Sequence, residues 1–167
     1  MQITAAMVKE LREKSGAGVM ECRNALTASD GDIGKAEAIL KEKGLAKAGK
    51  KADRVTSQGV IDSYIHAGGR IGTLLELNVE TDFVARTDQF KALAHELSMQ
   101  IAALSPKYIG DGDVPEGTQV DPKEDCLLQQ AYIKDPSKTI QDLINETIAK
   151  VGENIKVRRF VRFALGG

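Results

Sequence analysis

The chain of 167 residues has no Trp and only 4% aromatic residues, so it offers few side chains on which nucleic-acid bases could stack. It also has no excess of either charge, since 23 basic and 24 acidic side chains leave a formal net charge of −1. These two absences argue against a whole-chain nucleic-acid binder, and no direct contact with nucleic acid is expected.

Cysteine is scarce as well. Cys22 and Cys126 show neither CxxC spacing nor a second pair, which argues against a disulfide framework or a structural zinc site. No apolar run approaches the roughly 20 residues of a membrane-spanning helix, and the N-terminus lacks the apolar region of a secretory signal. We therefore expect a soluble cytoplasmic protein without membrane, metal or cofactor.

Enzyme motifs are also missing. His66 and His95, the two histidines, stand in no Ser/His/Asp or Cys/His arrangement that the sequence can justify, and neither HExxH nor GxSxG occurs. His95 falls at the margin of an apolar helix stripe and is interpreted as a structural residue. The sequence favours an interaction protein without catalytic residues.

What is present begins with residues 1–44, which are predicted to form a module of three short helices. Gly16 suits the end of the first helix and Gly44 the end of the third. In the second helix the predicted apolar stripe consists of Val19, Cys22 and Leu26. Met20 points off that stripe.

Residues 45–56 carry four cationic side chains and little apolar bulk, which predicts a basic linker. The stretch from Gly44 to Lys50 matches the first seven positions of a phosphate-binding loop. Lys51, however, stands where Ser or Thr would bind magnesium, and the segment follows a helix rather than a strand. A nucleotide site is therefore not predicted here.

Residues 57–167 are predicted to form an α+β core in which an antiparallel sheet packs with helices. Strands at 58–66 and 70–79 form a hairpin whose second strand alternates apolar residues onto one face. A regular amphipathic helix follows from about residue 87. Further helices are predicted near 122–131 and after the capping residue Thr139, and a last strand runs from Ile155 to Leu165.

That last strand has two interpretations. Arg158 and Arg162 alternate with Phe160, a pattern that an RNA-binding strand could use. The favoured alternative is an edge strand that cations protect from aggregation, because the other parts of an RNA-recognition fold are not visible.

The junction between the hairpin and the amphipathic helix reads Thr81-Asp82-Phe83-Val84. Thr81 and Asp82 suit a helix start, whereas Phe83 and Val84 do not suit a solvated loop. Either Phe83 folds back into the core or it is a hydrophobic contact for a partner. The residues alone favour the core, because apolar residues at helix starts are usually buried.

Several segments together resemble the elongation factor Ts family of bacteria. They are Val8–Arg12 with Gly16–Cys22, Asn24–Leu26 with Gly31–Ile33, Asn78–Ala85, and Gly152–Ile155 with Arg158 and Arg159. The segments occur in the family's order and span nearly the whole chain.

The resemblance implies a guanine-nucleotide exchange factor for elongation factor Tu in translation elongation. In this family the segment matching Thr81, Asp82, Phe83 and Val84 intrudes into the GTPase, displaces magnesium and promotes GDP release. The N-terminal module, of ubiquitin-associated type, docks on the GTP-binding domain, so Arg12, Val19 and Met20 are candidate contacts. The resemblance thus reverses the expectation for Phe83.

The chain resembles the family's short form, with one core unit. Such a unit leaves sheet or helix surface exposed, which predicts a homodimer through the core at 57–167. The rival hypothesis is an RNA- or ribosome-associated factor that uses the last strand and the basic linker.

Overall fold

Residues 2–167 of the computed structural model form seven α-helices and five β-strands, an α+β fold as predicted. In chain order these are α1 Ala5–Ser15, α2 Val19–Ala28, α3 Ile33–Lys51, β1 Gln58–Ile65, β2 Ile71–Val79, α4 Asp82–Ala85, α5 Asp88–Leu104, α6 Pro122–Asp125, β3 Ala131–Tyr132, β4 Asp135–Thr139, α7 Ile140–Val151 and β5 Ile155–Ala164. Within that range no helix is both long and apolar enough to cross a membrane.

The first three helices enclose a small core of their own. Thr4 caps α1 by accepting a hydrogen bond from the Met7 N–H, and Gly16 ends α1 with a φ of 65°. The buried side chains of this core are Leu11, Cys22, Ala25, Leu26 and Ala36. Val19 is not among them: it shares the side of α2 that carries Leu26, as predicted, but is 50% exposed.

Helix α3 was predicted to end at Gly44, but it continues to Lys51. Residues 45–51 include Leu, Ala and Lys, which favour helix, and Ala48 is buried in the main core. The stretch resembling a phosphate-binding loop therefore lies inside a helix, where its N–H groups belong to the helical ladder. The basic linker shrinks to the few residues after α3. The division of the chain into module, linker and core remains a prediction.

The main core lies between a three-stranded antiparallel sheet and two helices. Strand β2 is central, with Gln58 of β1 opposite Val79 and Ala164 of β5 opposite Ile71. The inner face of β2 and the apolar sides of α5 and α7 supply most of the buried residues: Leu75, Leu77, Val79, Phe90, Leu93, Leu97, Ile101, Ile140, Ile144 and Ile148.

Strand β5 is an edge strand, which confirms the edge position predicted for the basic C-terminal segment, whereas protection from aggregation by its cations stays a prediction. Two of its arginines are engaged within the fold. The Arg159 Nε donates to Glu76 at 2.7 Å, and the Arg162 Nε donates to the Ala102 carbonyl at 3.1 Å. Their charges thus serve contacts inside the chain.

The helix predicted at 122–131 is largely wrong, because only Pro122–Asp125 is helical. A 3₁₀ turn at Leu127–Gln129 and the short β3–β4 pair follow. The buried Gln130 amide explains the difference. It donates to the Glu124 carbonyl at 2.7 Å and accepts from the Gln100 amide at 3.3 Å, and these bonds favour a turn over a continued helix.

Asp142 joins α7 to the helical module. Its carboxylate accepts from the Thr139 N–H at 3.0 Å and from the Lys41 ammonium at 3.3 Å. Burial opposes ionisation, but these two donors outweigh it and lower the pKa of Asp142. A lowered carboxyl pKa stabilises the fold at neutral pH, and this stabilisation is lost as the pH falls through the folded-state pKa.

We therefore expect Asp142→Ala to lower the free energy of unfolding by about 1 kcal/mol at neutral pH. The difference from the unmodified chain should begin to shrink below about pH 4, the ordinary pKa of an Asp carboxyl, and should shrink further as the pH falls through the lowered pKa of the folded chain. Urea unfolding at pH 7 and pH 3 measures both values, with Glu146→Ala on the same helix as the control. An equal loss at both pH values would contradict the assigned charge interaction.

Candidate functional site

The junction after β2 is a one-turn helix framed by two threonine caps. Thr81 is extended, with φ −121° and ψ 153°, and its hydroxyl accepts from the Val84 N–H at 3.3 Å. Thr87 follows at once, donating to the Val84 carbonyl at 2.7 Å and accepting from the Phe90 N–H at 3.3 Å. The caps end one helix and start the next within a few residues, which turns α4 into an exposed corner.

The four residues of this corner, Thr81–Val84, are called the exchange segment below, after the role that the family resemblance implies for them. Val84 is 6% exposed and lies in the main core beside Ala85, whereas Phe83 is 79% exposed. Successive side chains of a helix point about 100° apart, so burying Val84 turns Phe83 outward. The interpretation of Phe83 as a core residue is wrong. Val84, predicted as a contact residue, anchors the helix.

Asp82 is also exposed and forms an ion pair with Arg86 at 3.0 Å. An exposed pair of this kind contributes about 0–1 kcal/mol, so it can open at little cost. The Asp82 carboxylate is therefore accessible beside Phe83. The sequence interpretation missed Arg86, although its spacing of four residues from Asp82 on a helix start was a usable signal.

The exchange segment is hydrogen-bonded to the turn that joins α7 to β5. The backbone N–H of Thr81 and its hydroxyl both donate to the Glu153 carboxylate, at 2.9–3.0 Å. The neighbouring Asn154 donates its N–H to the Glu80 carboxylate at 2.8 Å. These partners are more than 70 positions apart in the chain, so no local pattern could pair them.

The residues predicted as contacts of the N-terminal module lie at one end of that module. Val19 and Met20 begin α2 and are 50% and 63% exposed, an unusual pair of apolar side chains on a helix start. Arg12 lies on α1 and lines a cleft of about 660 Å³ between the module, α3 and α7. The fold thus leaves all three side chains at the surface, on a different element from the exchange segment.

The face of the sheet opposite α5 and α7 is uncovered within residues 2–167. Across three strands it presents Leu74 beside Val161, and Phe163 across Gly72 from Ile65. We call this surface, formed by Ile61, Ile65, Leu74, Val161 and Phe163, the outer sheet face. Its five side chains are 40–70% exposed. Single apolar residues at a surface need no explanation, but a contiguous apolar patch is typical of an interaction surface.

Comparison with known protein sequences shows which proteins this chain is similar to. A family model described as Elongation factor TS matches residues 33–124 and 119–167. Elongation factor Ts of Thermoanaerobacter sp. (strain X514) is 52% identical over an alignment of 194 positions, which covers 98% of this chain and 95% of that protein. The corresponding protein of Heliobacterium modesticaldum is 51% identical, covering 98% of this chain and 90% of its own length. That of Coprothermobacter proteolyticus is 48% identical, covering 99% and 100%.

The alignment with the Thermoanaerobacter protein has 194 positions, more than the 167 residues of this chain, so it includes residues of that relative that this chain lacks. The two matched segments overlap at residues 119–124, which lie in the mostly exposed stretch before and within α6. The segments that build the helical module, the sheet and the exchange segment all have counterparts in the relatives. Since family matches extend over most of the chain and about half of the aligned positions are identical, the chain belongs to the elongation factor Ts family.

Proposed function

We propose that this chain binds the GTPase elongation factor Tu and accelerates its release of GDP by inserting the exchange segment beside the nucleotide. The observation that carries the proposal is the exposure of Phe83, 79%, on a one-turn helix that Val84 anchors in the core. Membership in the elongation factor Ts family implies the exchange role in translation elongation, which involves no chemical catalysis by the factor itself. The same role supports the expected cytoplasmic location.

Each residue of the exchange segment has a separate task in this proposal. Phe83 wedges between elements of the GTPase, and the Asp82 carboxylate attracts the bound magnesium ion away from its ligands in the GTPase and GDP. Thr81 caps the helix that carries both side chains, and Val84 keeps that helix on the core. A rigid helix start presents Phe83 and Asp82 with little ordering left to be done on binding.

Thermodynamic linkage explains how these contacts release GDP. A factor that binds the empty GTPase more tightly than the GDP-bound form must weaken GDP binding by the same factor. Only contacts that differ between the two forms can have this effect. A wedge that fits only the distorted nucleotide site meets this condition.

The N-terminal module supplies a second contact in the proposal. Val19 and Met20 form an exposed apolar pair, and Arg12 adds a cation on the neighbouring helix. Exposed apolar side chains beside a charged rim are typical of protein interfaces. Docking of the module on the GTP-binding domain would hold the factor in place while the exchange segment acts.

The direct test is the release of labelled GDP from elongation factor Tu with and without this chain. We expect substoichiometric amounts to accelerate release by at least about tenfold, within the range of measured coupling energies. An unchanged rate would refute the proposal. Binding to RNA with a steep salt dependence would then support the rival hypothesis of an RNA-associated factor.

We also propose that a second copy of the chain covers the outer sheet face to give a homodimer. Its apolar residues lie on all three strands, with Leu74 on the central one. A two-fold interface places the same patch on both subunits, so a flat apolar sheet face can pair with itself.

For this dimer, Leu74→Lys is expected to weaken self-association by at least about 100-fold, because two-fold symmetry brings two cations into one apolar interface. Light scattering at micromolar concentration should change from twice the chain mass to 18.0 kDa. Ile133→Lys, at an exposed apolar position away from this face, serves as the control. A mass of 18.0 kDa for the unmodified chain would rule out the dimer.

A further inference from the structure

The turn between α7 and β5 accepts hydrogen bonds from both the backbone N–H and the hydroxyl of Thr81, the first residue of the exchange segment. We propose that Glu153 in this turn is a positioning residue, which sets the rate of GDP release by fixing the exchange segment without touching the GTPase. The inference rests on the proposed function and assigns a role to a residue outside the predicted contact sets.

The hydrogen-bond geometry at Thr81 depends on Glu153. The Thr81 N–H donates to the Glu153 Oε1 at 3.0 Å, and the hydroxyl donates to Oε1 and Oε2 at 3.0 and 2.9 Å. A hydroxyl has one proton, so donation to the carboxylate leaves its lone pairs for the Val84 N–H at 3.3 Å. Glu153 thus fixes the hydroxyl in the orientation that caps α4.

Glu153 is itself held by a firmly attached turn. Gly152 takes the left-handed conformation, with a φ of 76°, that ends α7. Asn154 is 3% exposed, and its side-chain amide donates to the carbonyls of Ala52 and Arg54 at 3.3 and 2.9 Å. Its N–H donates to Glu80, the residue before the exchange segment. The turn therefore connects the exchange segment with the chain that follows α3.

This arrangement matters because Phe83 has little else to fix its direction. The side chain is 79% exposed, so its position is set by the anchoring of Val84 and by the Thr81 cap. Loss of the Glu153 carboxylate would leave the cap free to rotate and the helix start free to fray. The partner would then have to order the segment on binding, at a cost in affinity.

Three variants separate positioning from direct contact. Glu153→Ala removes the acceptor and should lower GDP release at limiting factor concentration by about tenfold. Glu153→Gln keeps the one side-chain oxygen, equivalent to Oε1, that can accept both Thr81 donors, so it should stay within about twofold of the unmodified chain. Glu146→Ala removes a carboxylate of α7 that, among the described residues, pairs with Lys138 and not with the exchange segment, and should also stay within about twofold.

The same variants are combined with Phe83→Ala. If Glu153 acts by presenting Phe83, adding Glu153→Ala to Phe83→Ala should lower the rate by less than about twofold more. Full multiplication of the two effects would overturn the proposal. So would a loss in Glu153→Gln as large as that in Glu153→Ala, because this result would assign the effect to the charge rather than to the hydrogen bonds.

Amide hydrogen exchange of the free chain provides a readout that does not depend on the GTPase. Glu153→Ala should speed exchange of the Thr81 and Val84 amides by about tenfold while the β2 amides and the melting temperature stay unchanged. Unchanged Thr81 and Val84 amides would overturn the positioning role. If the unmodified chain did not accelerate GDP release from elongation factor Tu, the proposed function would be refuted instead. Failure of the positioning role and failure of the proposed function are therefore distinguishable.

Discussion

Phe83→Ala is expected to reduce acceleration of GDP release by about 30-fold or more at a given factor concentration. An aromatic side chain at the centre of an interface contributes at least about 2 kcal/mol to binding, which corresponds to this factor. The same change should leave the free energy of unfolding within about 0.5 kcal/mol, because the side chain is 79% exposed and contributes little to the core. A large loss of function without a loss of stability is the signature of a contact residue.

Stopped-flow release of labelled GDP at several factor concentrations measures the effect, and a thermal melt of each variant checks the fold. Phe83→Leu, which keeps part of the apolar surface, should give an intermediate rate. Leu104→Ala removes an exposed apolar side chain at the C-terminal end of α5 and should retain the unmodified rate. If GDP left elongation factor Tu as fast with Phe83→Ala as with the unmodified chain, insertion of the exchange segment would be excluded as the cause of release.

Phe90→Ala is expected to have the opposite profile, lowering the free energy of unfolding by about 3–5 kcal/mol. Phe90 is fully buried and is the largest of the fully buried side chains in the described residues. It lies in the first turn of α5, among the residues that pack on the inner face of the sheet. Its truncation would leave a cavity in the main core, where α5 packs against the sheet near Val84 of the exchange segment. Such a loss is a large part of the roughly 5–15 kcal/mol that stabilises a domain.

Urea unfolding measures the loss, with Phe90→Leu as the graded variant and Phe83→Ala as the matched exposed phenylalanine. Phe90→Leu keeps most of the volume and should cost less than about 1.5 kcal/mol. A loss below about 1 kcal/mol in Phe90→Ala would show that the core does not depend on this side chain. At intermediate urea concentrations, Phe90→Ala should also lose GDP release through unfolding alone.

The contrast between these two phenylalanines shows what the sequence could predict. Phe90 belongs to an apolar repeat of helical period, and a long repeat of this kind identifies a buried face from the sequence alone. Phe83 belongs to a single helical turn, which is too short to have a period. Burial statistics for one residue gave the wrong answer there, and only the resemblance to a family of exchange factors pointed outward.

Contacts between distant parts of the chain were beyond the sequence for a different reason. Helix α3 passes Gly44 because Ala48 finds a place in the main core, a tertiary gain that outweighs the local glycine signal. The turn around Gln130 depends on amide bonds to Gln100 and Glu124. The bonds from Thr81 to Glu153 likewise depend on the finished fold.

The continuity of α3 has a consequence for how the two proposed contact regions act together. A helix of 19 residues spans about 28 Å as a stiff rod. The residues directly after it accept hydrogen bonds from the Asn154 side chain, beside the exchange segment. Once the N-terminal module has docked, the second contact is an intramolecular event, and its effective concentration is set by a fixed geometry instead of a flexible tether. If both proposed contacts form, the factor acts as a bivalent ligand with a built-in spacing, and a GTPase that offers only one of the two surfaces at that spacing gains none of the avidity.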